Sequence, residues 1–234
     1  MFDKKPPRPM TRSLRVLAAV LGYPDASMRS HLPEMRALLR DERALPPSRL
    51  LELDALMHAL ERADPLEAES DYVELFDRGR GTSLHLFEHV HGDSRERGPA
   101  MIDLGQTYEK AGLVLAEGEL PDYLPAVLEF VSTQPVREAK AFLGEMAHIF
   151  NAIFGALRHR DSAYASVLGA LIELAGEQAQ AVKPPAEEAL DDSWAEPVVF
   201  DGCSSKGQAR PGEAQPVHIV RKGAAAPSAS GAAS

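Results

Sequence analysis

The stretch DYVELFDRGRGTSLHLFEHVHGDSRERG, residues 71–98, is followed at residues 116–130 by AEGELPDYLPAVLEF. Nowhere else in the chain are aromatic, basic and acidic side chains mixed so closely with residues that begin or end helices. Just before this stretch, Asp64 and Pro65 stand where an N-cap and a first helical residue are favoured. The apolar spacing that follows indicates a helix carrying Tyr72. We therefore expect a helical fold whose specific function lies in this stretch.

The sequence before this stretch has the apolar spacing of three further helices. Leu14, Leu17 and Leu21 share one helical face. Gly22 then ends the first helix, because glycine favours the backbone conformations found at helix ends. The predicted caps are Asp25 for a second helix that runs to about residue 43, Ser48 for a third helix and Asp64 for a fourth.

The sequence after residue 77 predicts five more helical segments. Arg78–Gly81 is interpreted as a flexible break, and Gly112 stands where a left-handed residue ends a helix. The predicted segments are Ser83–His91, a helix capped by Asp93 or Ser94 that runs to Ala111, Tyr123–Val131 capped by Asp122, one helix from Pro135 through Arg158, and a last helix capped by Asp161.

These patterns predict an all-α fold, a single-domain helical bundle with a mostly disordered C-terminal tail. Residues 1–10 are expected to be a disordered N-terminus, and residues 11–181 an all-helical domain. Residues 182–234 are expected to be a flexible tail, acidic at first and then rich in Ala, Ser and Pro. Trp194 and Phe200 stand out in this polar tail as expected docking anchors.

The bulk composition excludes several functional classes. The 234 residues carry a formal net charge of -10, whereas binding to nucleic acid or to anionic membranes needs basic patches. Cys203 is the single cysteine, so no intramolecular disulfide can form, which fits a reducing compartment. The basic N-terminus lacks a signal-peptide cleavage site, and no segment approaches the roughly 20 apolar residues of a membrane span. We expect a cytoplasmic protein without a nucleic-acid partner or stable membrane association.

One enzyme-like pattern is present. His85-Leu86-Phe87-Glu88-His89 matches the H-x-x-E-H pattern of a group of zinc hydrolases. On a continuous helix, His85 and His89 would share one face and could share a zinc ion. A further ligand is needed, and nothing in the sequence ties one to this pair. We expect partly exposed helix histidines and no metal site, with a zinc hydrolase using His85, Glu88 and His89 as a remote alternative.

Two other groups of residues mark helix junctions. Arg95 and Arg97 lie near a predicted helix N-terminus, where positive charge opposes the helix dipole, so we expect each to have a partner. Pairing within the fold and pairing with a bound molecule remain open. In Glu119-Leu120-Pro121-Asp122, the proline fixes the approach of the chain and the aspartate is placed to cap the next helix.

Several motifs together resemble the nitrate reductase delta-subunit family, the molybdenum-cofactor assembly chaperones within the redox-enzyme maturation chaperones. The resemblance is carried by Tyr72, Phe76 and Asp77, by His91-Gly92-Asp93-Ser94-Arg95-x-Arg97-Gly98, by Glu119-Leu120-Pro121-Asp122 and by Leu128-Glu129-Phe130. Residues 17–24 and 190–200 are also similar, so the likeness covers most of the chain. The chain departs from the family at Tyr123, where a histidine is usual, and in residues 82–89, where cysteines or tyrosines are common.

The resemblance implies a non-catalytic, all-helical chaperone in the cytoplasm with no cofactor of its own. Its partner would be the N-terminal tail of the apo catalytic (alpha) subunit of a respiratory nitrate reductase. The chaperone would keep that subunit competent for molybdenum cofactor insertion before membrane docking, and proteins that deliver the cofactor are further expected partners. A chaperone for a different molybdoenzyme is the alternative. The residues expected to line or rim the peptide-binding groove are Tyr72, Phe76, Arg80, Leu84, Phe87, His91, Asp93, Arg95, Arg97, Glu119, Pro121, Asp122, Tyr123 and Val127.

Overall fold

The structure is a computed structural model that describes residues 9–91 and 94–180. Within these ranges it contains helices and no β-strand, which confirms the all-α prediction. The helices are α1 (Thr11–Leu21), α2 (Ala26–Ser30), α3 (Leu32–Glu42), α4 (Pro47–Arg62), α5 (Pro65–Tyr72), α6 (Leu86–Val90), α7 (Arg97–Lys110), α8 (Leu124–Thr133), α9 (Val136–Glu145), α10 (Ala147–His159) and α11 (Ala165–Ala175). A π-helical turn, Val73–Asp77, continues α5, and a 3₁₀ turn follows at Arg80–Thr82. None of the helices in the described part of the chain is long and apolar enough to cross a membrane.

Local sequence signals fix several helix ends as predicted. Asp25 caps α2 by accepting a hydrogen bond from the backbone N–H of Met28 at 2.7 Å. Asp64 caps α5 in the same way, with the N–H of Leu66 at 2.9 Å. Each such cap satisfies a donor that the helix itself cannot use and stabilises the fold by about 1 kcal/mol. Gly112, just after α7, has the predicted left-handed conformation with φ of 77°.

The core forms where α1 packs on α8 and where α10 packs on α11. Leu14 and Leu17 of α1 are completely buried, and Phe150 of α10 is the largest fully buried side chain in the described ranges. Every residue of α11 except Glu173 is buried, and Glu173 accepts a hydrogen bond from Arg49 of α4 at 2.9 Å. Because burial of a large apolar side chain contributes roughly 1.5–3 kcal/mol, these contacts dominate the stability.

Two predicted features of the N-terminal helices are wrong. The helix expected after Asp25 is divided into α2 and α3, because Pro33 lacks the N–H that a continuous helix would need there. Ser48 does not cap α4, which begins one residue earlier at Pro47. Proline at a first helical position is favourable because that position needs no N–H donor, so Pro47 begins the helix.

Two predictions in the C-terminal half also need correction. The helix expected from residue 135 to residue 158 is two helices, α9 and α10, joined at Met146. Gly144, in the last turn of α9, lowers the helical propensity just before this joint. Asp161 does not cap the last helix, because it has a left-handed conformation with φ of 52° and α11 begins only after Tyr164. An N-cap residue normally has an extended backbone.

The stretch around residues 83–110 is less helical than predicted. Ser83–His85 is not helical, and α6 begins only at Leu86. The N-cap position of α7 is Glu96, which makes no side-chain capping bond, so Ser94 does not cap this helix. Tyr108 is the single buried residue of α7.

Some predictions fall on residues outside the described ranges. These are the expectations for residues 1–8, for Gly92 and Asp93, and for residues 181–234 with Trp194, Phe200 and Cys203. The described helices run from Thr11 to Ala175. The domain boundaries drawn from the sequence stay predictions.

Candidate functional site

A pocket of about 430 Å³ lies between the residues that follow α1, the π-helical turn and the turn that precedes α8. Ligand pockets commonly measure roughly 300–1,000 Å³. The pocket is lined by Tyr23, Tyr72, Phe76, Asp77, Leu84, His85, Gly118, Glu119, Leu120 and Tyr123. We call this set the tyrosine pocket. A second depression of about 490 Å³ at the start of α9 lacks aromatic side chains, so the tyrosine pocket is the better candidate for specific binding.

The floor of the tyrosine pocket is aromatic, and the π-helical turn sets its shape. The N–H of Arg78 donates to the carbonyl of Val73 at 3.2 Å, a five-residue step in place of the four-residue step of an α-helix. The rings of Tyr72 and Phe76 lie 4.9 Å apart, and Phe76 meets Tyr164 edge-on at 5.1 Å. Such ring pairs add about 0.5–1.5 kcal/mol each beyond burial. The floor is therefore held in place before any ligand arrives.

A chain of hydroxyl groups ties three segments together at the pocket wall. The hydroxyl of Tyr72 donates to the carbonyl of Leu21 at 2.8 Å, and it lies 3.1 Å from the hydroxyl of Tyr123. Because Tyr72 has one hydroxyl proton and Leu21 can only accept, Tyr123 is the donor in the second bond. Burial raises the pKa of Tyr72 and that of Tyr123 above the ordinary tyrosine value. Both phenols therefore stay neutral at physiological pH.

Asp122 is completely buried behind the pocket and does not cap the helix that follows it. Its Oδ2 accepts a hydrogen bond from the N–H of Phe87 at 3.1 Å, so the carboxylate caps α6 from a distant part of the chain. Its Oδ1 lies 3.3 Å from Nδ1 of His85, and its Oδ2 lies 3.8 Å from Nη2 of Arg97. The sequence prediction that Asp122 caps α8 is wrong, because Tyr123 occupies that N-cap position and α8 has no side-chain cap.

The charges around Asp122 form one connected group. The hydrogen bond with Asp122 raises the pKa of His85 above the ordinary histidine value, while partial burial opposes the shift. Arg97 also lies 3.4 Å from the carboxylate of Glu88. A buried carboxylate needs such partners, since an unpaired one would cost several kcal/mol. The group joins α6, α7 and the turn before α8, and Arg97 thus finds its expected partners within the fold.

The two histidines of the H-x-x-E-H pattern do not lie on one helix face. His85 precedes α6 and forms an isolated antiparallel bridge with Tyr123, whose ring centre lies 5.4 Å from that of His85. Nε2 of His89 lies 2.9 Å from the carbonyl of Ser83. Within residues 9–91 and 94–180, no group of three or more His, Cys, Asp or Glu side chains could hold a metal ion. Both histidines make contacts inside the fold.

Two rim residues of the pocket, Tyr23 and Leu120, were not among the predicted site residues. Tyr23 is 46% exposed, and its ring meets that of Tyr72 nearly at a right angle at 5.6 Å. Its hydroxyl donates to Oε2 of Glu69 at 3.0 Å, and this bond raises the pKa of Tyr23. The sequence feature that could have identified Tyr23 is its position between a helix-ending glycine and Pro24. Such a residue sits at a helix end, where it can remain exposed.

The structure brings together only part of the predicted site. The predicted residues that line the pocket are Tyr72, Phe76, Leu84, Glu119 and Tyr123. Those next to it but outside the lining are Arg97, Pro121 and Asp122. Phe87 and His91 meet edge to face with ring centres 5.5 Å apart, while Arg80 and Arg95 are exposed and do not line the pocket. Val127 is buried in the core and offers a peptide no surface. Asp93 lies outside the described residues.

Comparison with known proteins identifies the class. The sequence profile of the nitrate reductase delta subunit family matches residues 42–169, and the chain belongs to this family. The chain is 41% identical over 183 residues to the nitrate reductase molybdenum cofactor assembly chaperone NarJ of Escherichia coli K12, covering 77% of this chain and 78% of that protein. It is 31% identical over 159 residues to a NarJ chaperone of Bacillus subtilis, covering 67% of this chain and 84% of that protein.

One solved structure supports the fold. A proposed redox enzyme maturation protein from Archaeoglobus fulgidus superimposes with a TM-score of 0.53 and 20% sequence identity, covering 72% of this chain and 94% of that chain. At this level of identity the likeness concerns the fold alone. Both of these sequence relatives are named as assembly chaperones, which confirms the prediction of a non-catalytic chaperone.

Proposed function

We propose that the chain is a cytoplasmic chaperone that binds the N-terminal tail of the apo catalytic subunit of a respiratory nitrate reductase. It would keep that subunit competent for molybdenum cofactor insertion before membrane docking. The observation that carries the proposal is the 41% identity to a nitrate reductase molybdenum cofactor assembly chaperone over 78% of that protein's length. The tyrosine pocket supports it, since it offers a preformed aromatic surface and no reacting groups are needed for binding.

The pocket suits one or two anchoring side chains of a peptide. Peptide recognition by helical proteins commonly uses a few buried anchors surrounded by a polar rim. Here Tyr72, Phe76 and Leu84 form a buried apolar floor, while Glu119 and Leu120 lie on the exposed rim. A peptide helix or turn that places the apolar part of an anchoring side chain against the floor would keep its other polar groups in water.

Release of the client requires a difference in affinity between two client states. A chaperone that binds the apo subunit more tightly than the cofactor-loaded subunit is displaced as the cofactor is inserted. Proteins that deliver the cofactor are proposed as further, transient partners. No residue of the chain performs chemistry in this scheme. Its contribution is to cover a client segment and delay docking at the membrane.

Isothermal titration calorimetry with a synthetic peptide of the catalytic subunit's N-terminus tests the proposal. We expect saturable heat at a one-to-one ratio and no such heat with the corresponding peptide of a different molybdoenzyme. Leu120→Lys should strongly weaken the binding, because it places a positive charge on the apolar edge of the pocket. The matched control is Leu66→Lys, which changes an exposed leucine on α5 outside the pocket.

The possible outcomes distinguish an error in the identity of the client from an error in the location of the binding site. If the chain prefers the other molybdoenzyme's peptide, that enzyme is the client instead. If neither peptide gives heat, the proposal is refuted. Equal loss of binding in Leu66→Lys and Leu120→Lys would show that the tyrosine pocket is not the site. Far-UV circular dichroism of both variants checks that they remain folded.

A further inference from the structure

Two carboxylates at the tyrosine pocket have no ion-pair partner among the described residues. They are Asp77, at the end of the π-helical turn, and Glu119, in the turn before α8. Neighbouring acids are engaged: Glu74 pairs with Arg78 at 3.0 Å, and Glu69 accepts the hydroxyl bond of Tyr23. Asp77 and Glu119 therefore give the pocket two negative charges that no ion pair within the described ranges neutralises.

Aromatic rings line the same pocket as these acids. Tyr23 is anchored at the rim by its hydroxyl bond to Glu69, nearly perpendicular to the ring of Tyr72. Tyr123 also lines the pocket, where its hydroxyl bond to Tyr72 holds it in place. Ring faces carry negative charge density and attract cations within about 6 Å of the ring centre. The rings and the carboxylates thus both favour binding of a positively charged group.

We propose that the tyrosine pocket takes a cationic side chain of the bound peptide, an arginine guanidinium or a lysine ammonium. The head group would lie against the tyrosine rings and between the carboxylates of Asp77 and Glu119. The aliphatic stem would run along Leu84 and Leu120, which also line the pocket. The volume of about 430 Å³ accommodates such a side chain together with part of its neighbour. This inference rests on the proposed function, because it names the side chain that the peptide presents.

Arginine is the preferred occupant. Its planar guanidinium can stack on a ring and donate to two carboxylates at once, whereas the ammonium of lysine is a more strongly hydrated point charge. The competing cation is built into the wall, since His85 lines the pocket beside Asp122. The carboxylate of Asp122, 3.3 Å from Nδ1 of His85, offsets the positive charge of a protonated His85, so Asp77 and Glu119 are left as the carboxylates available to the ligand.

The test removes the charge, but not the shape, from each partner in turn: first from the peptide and then from the pocket. The probes are the client N-terminal peptide and copies in which single arginines are replaced by citrulline, which keeps the shape and removes the charge. We expect one citrulline position to weaken binding about fivefold or more in calorimetry. Glu119→Gln and Asp77→Asn should weaken binding of the charged peptide similarly. Neither substitution should change the affinity for the citrulline peptide that binds more weakly, because that peptide no longer carries the charge.

Glu117→Gln is the matched control, because Glu117 is exposed in the same turn and does not line the pocket. It removes the same charge from the chain, so it measures the effect of net charge alone. Retained binding in Glu117→Gln with weakened binding in Glu119→Gln supports the proposal. Equal effects of the two variants, or equal affinity of all citrulline copies and the parent peptide, would overturn it.

A second probe keeps this inference separate from the identity of the client. Arginine amide alone should shift the NMR signals of the pocket tyrosine rings, and citrulline amide should not. The shifts should vanish in the Asp77→Asn, Glu119→Gln double variant and persist in Glu117→Gln. If the client peptide fails to bind while these shifts occur, the proposed client is wrong and the cation site stands. If the peptide binds and arginine amide causes no more shift than citrulline amide, the cation site is wrong.

Discussion

Replacement of Asp122 tests the charge group behind the pocket most directly. Asp122→Ala leaves the N–H of Phe87 without an acceptor, and an unsatisfied buried donor costs about 1–3 kcal/mol. It also removes the carboxylate that faces His85 and Arg97. Breaking a buried charge group costs about 3–5 kcal/mol, but these two partners are partly exposed and can turn to water. We expect a loss of about 3 kcal/mol in the free energy of unfolding.

Asp64→Ala is the matched control for this loss. Asp64 also caps a helix through the N–H of the second residue, but it lies in a more exposed place and faces no charged partner in the described ranges. Removal of such a cap costs about 1 kcal/mol. Urea unfolding followed by far-UV circular dichroism measures both variants. If Asp122→Ala costs no more than Asp64→Ala, then Asp122 acts as a simple cap and the argument for a charge group fails.

The pH dependence of Asp122→Asn gives a second, independent readout. In the folded wild type, the pKa of His85 is raised by its bond to Asp122, whereas in the unfolded chain it is about 6.5. The stabilisation is therefore complete below about pH 6.5 and is lost as the pH rises through the folded value. We expect the stability difference between wild type and Asp122→Asn to be largest below about pH 6.5 and to narrow above it. A difference that widens with rising pH would contradict the pairing.

Two further predictions concern the pocket wall and the turn beside it. Tyr123→Phe removes the hydroxyl bond to Tyr72 and should lower the free energy of unfolding by about 1 kcal/mol in urea. An unchanged value would show that the bond contributes nothing. Gly79→Ala places a methyl group 2.9 Å from the carbonyl oxygen of Leu75 and should destabilise the fold by about 1–3 kcal/mol. Gly144→Ala, whose methyl group meets nothing within 4 Å, should raise stability by about 0.5–1 kcal/mol. If Gly79→Ala and Gly144→Ala shift the melting temperature in the same direction, the expected difference between the two positions is refuted.

Helix ends set by neighbouring residues could be predicted from the sequence. Asp25 and Asp64 cap the helices expected of them, because a cap depends on donors two or three residues away. Asp122 also accepts a backbone N–H, but from Phe87, which comes close only after the chain has folded. Sequence spacing cannot show which of two helix starts a carboxylate will reach. The wrong expectation that Ser48 caps α4 has a local cause instead, because Pro47 takes the first helical position.

The residues of the pocket could be predicted only in part, because some of them meet through contacts between distant parts of the chain. Family resemblance directed attention to Tyr72, Phe76 and Glu119, and all three line the pocket. Tyr23 joins them because the end of α1 packs beside α5, a contact between distant parts of the chain. Neither periodicity nor spacing reports such a contact. Val127 shows the opposite error, since a residue next to the motif Leu128-Glu129-Phe130 was expected at the groove but is buried in the core.

The sparse burial of α7 has a consequence for how the pocket can respond. Tyr108 is its one buried side chain and donates to the carbonyl of Pro121 at 2.7 Å, while Arg97 holds its first turn through the charge group. Detaching α7 would expose little apolar surface, so it should open locally at a far smaller free energy than global unfolding. Amide hydrogen exchange should then be fast in α7 and slow in α11. The turn that carries Glu119 would be loosened by this opening while the core stays intact.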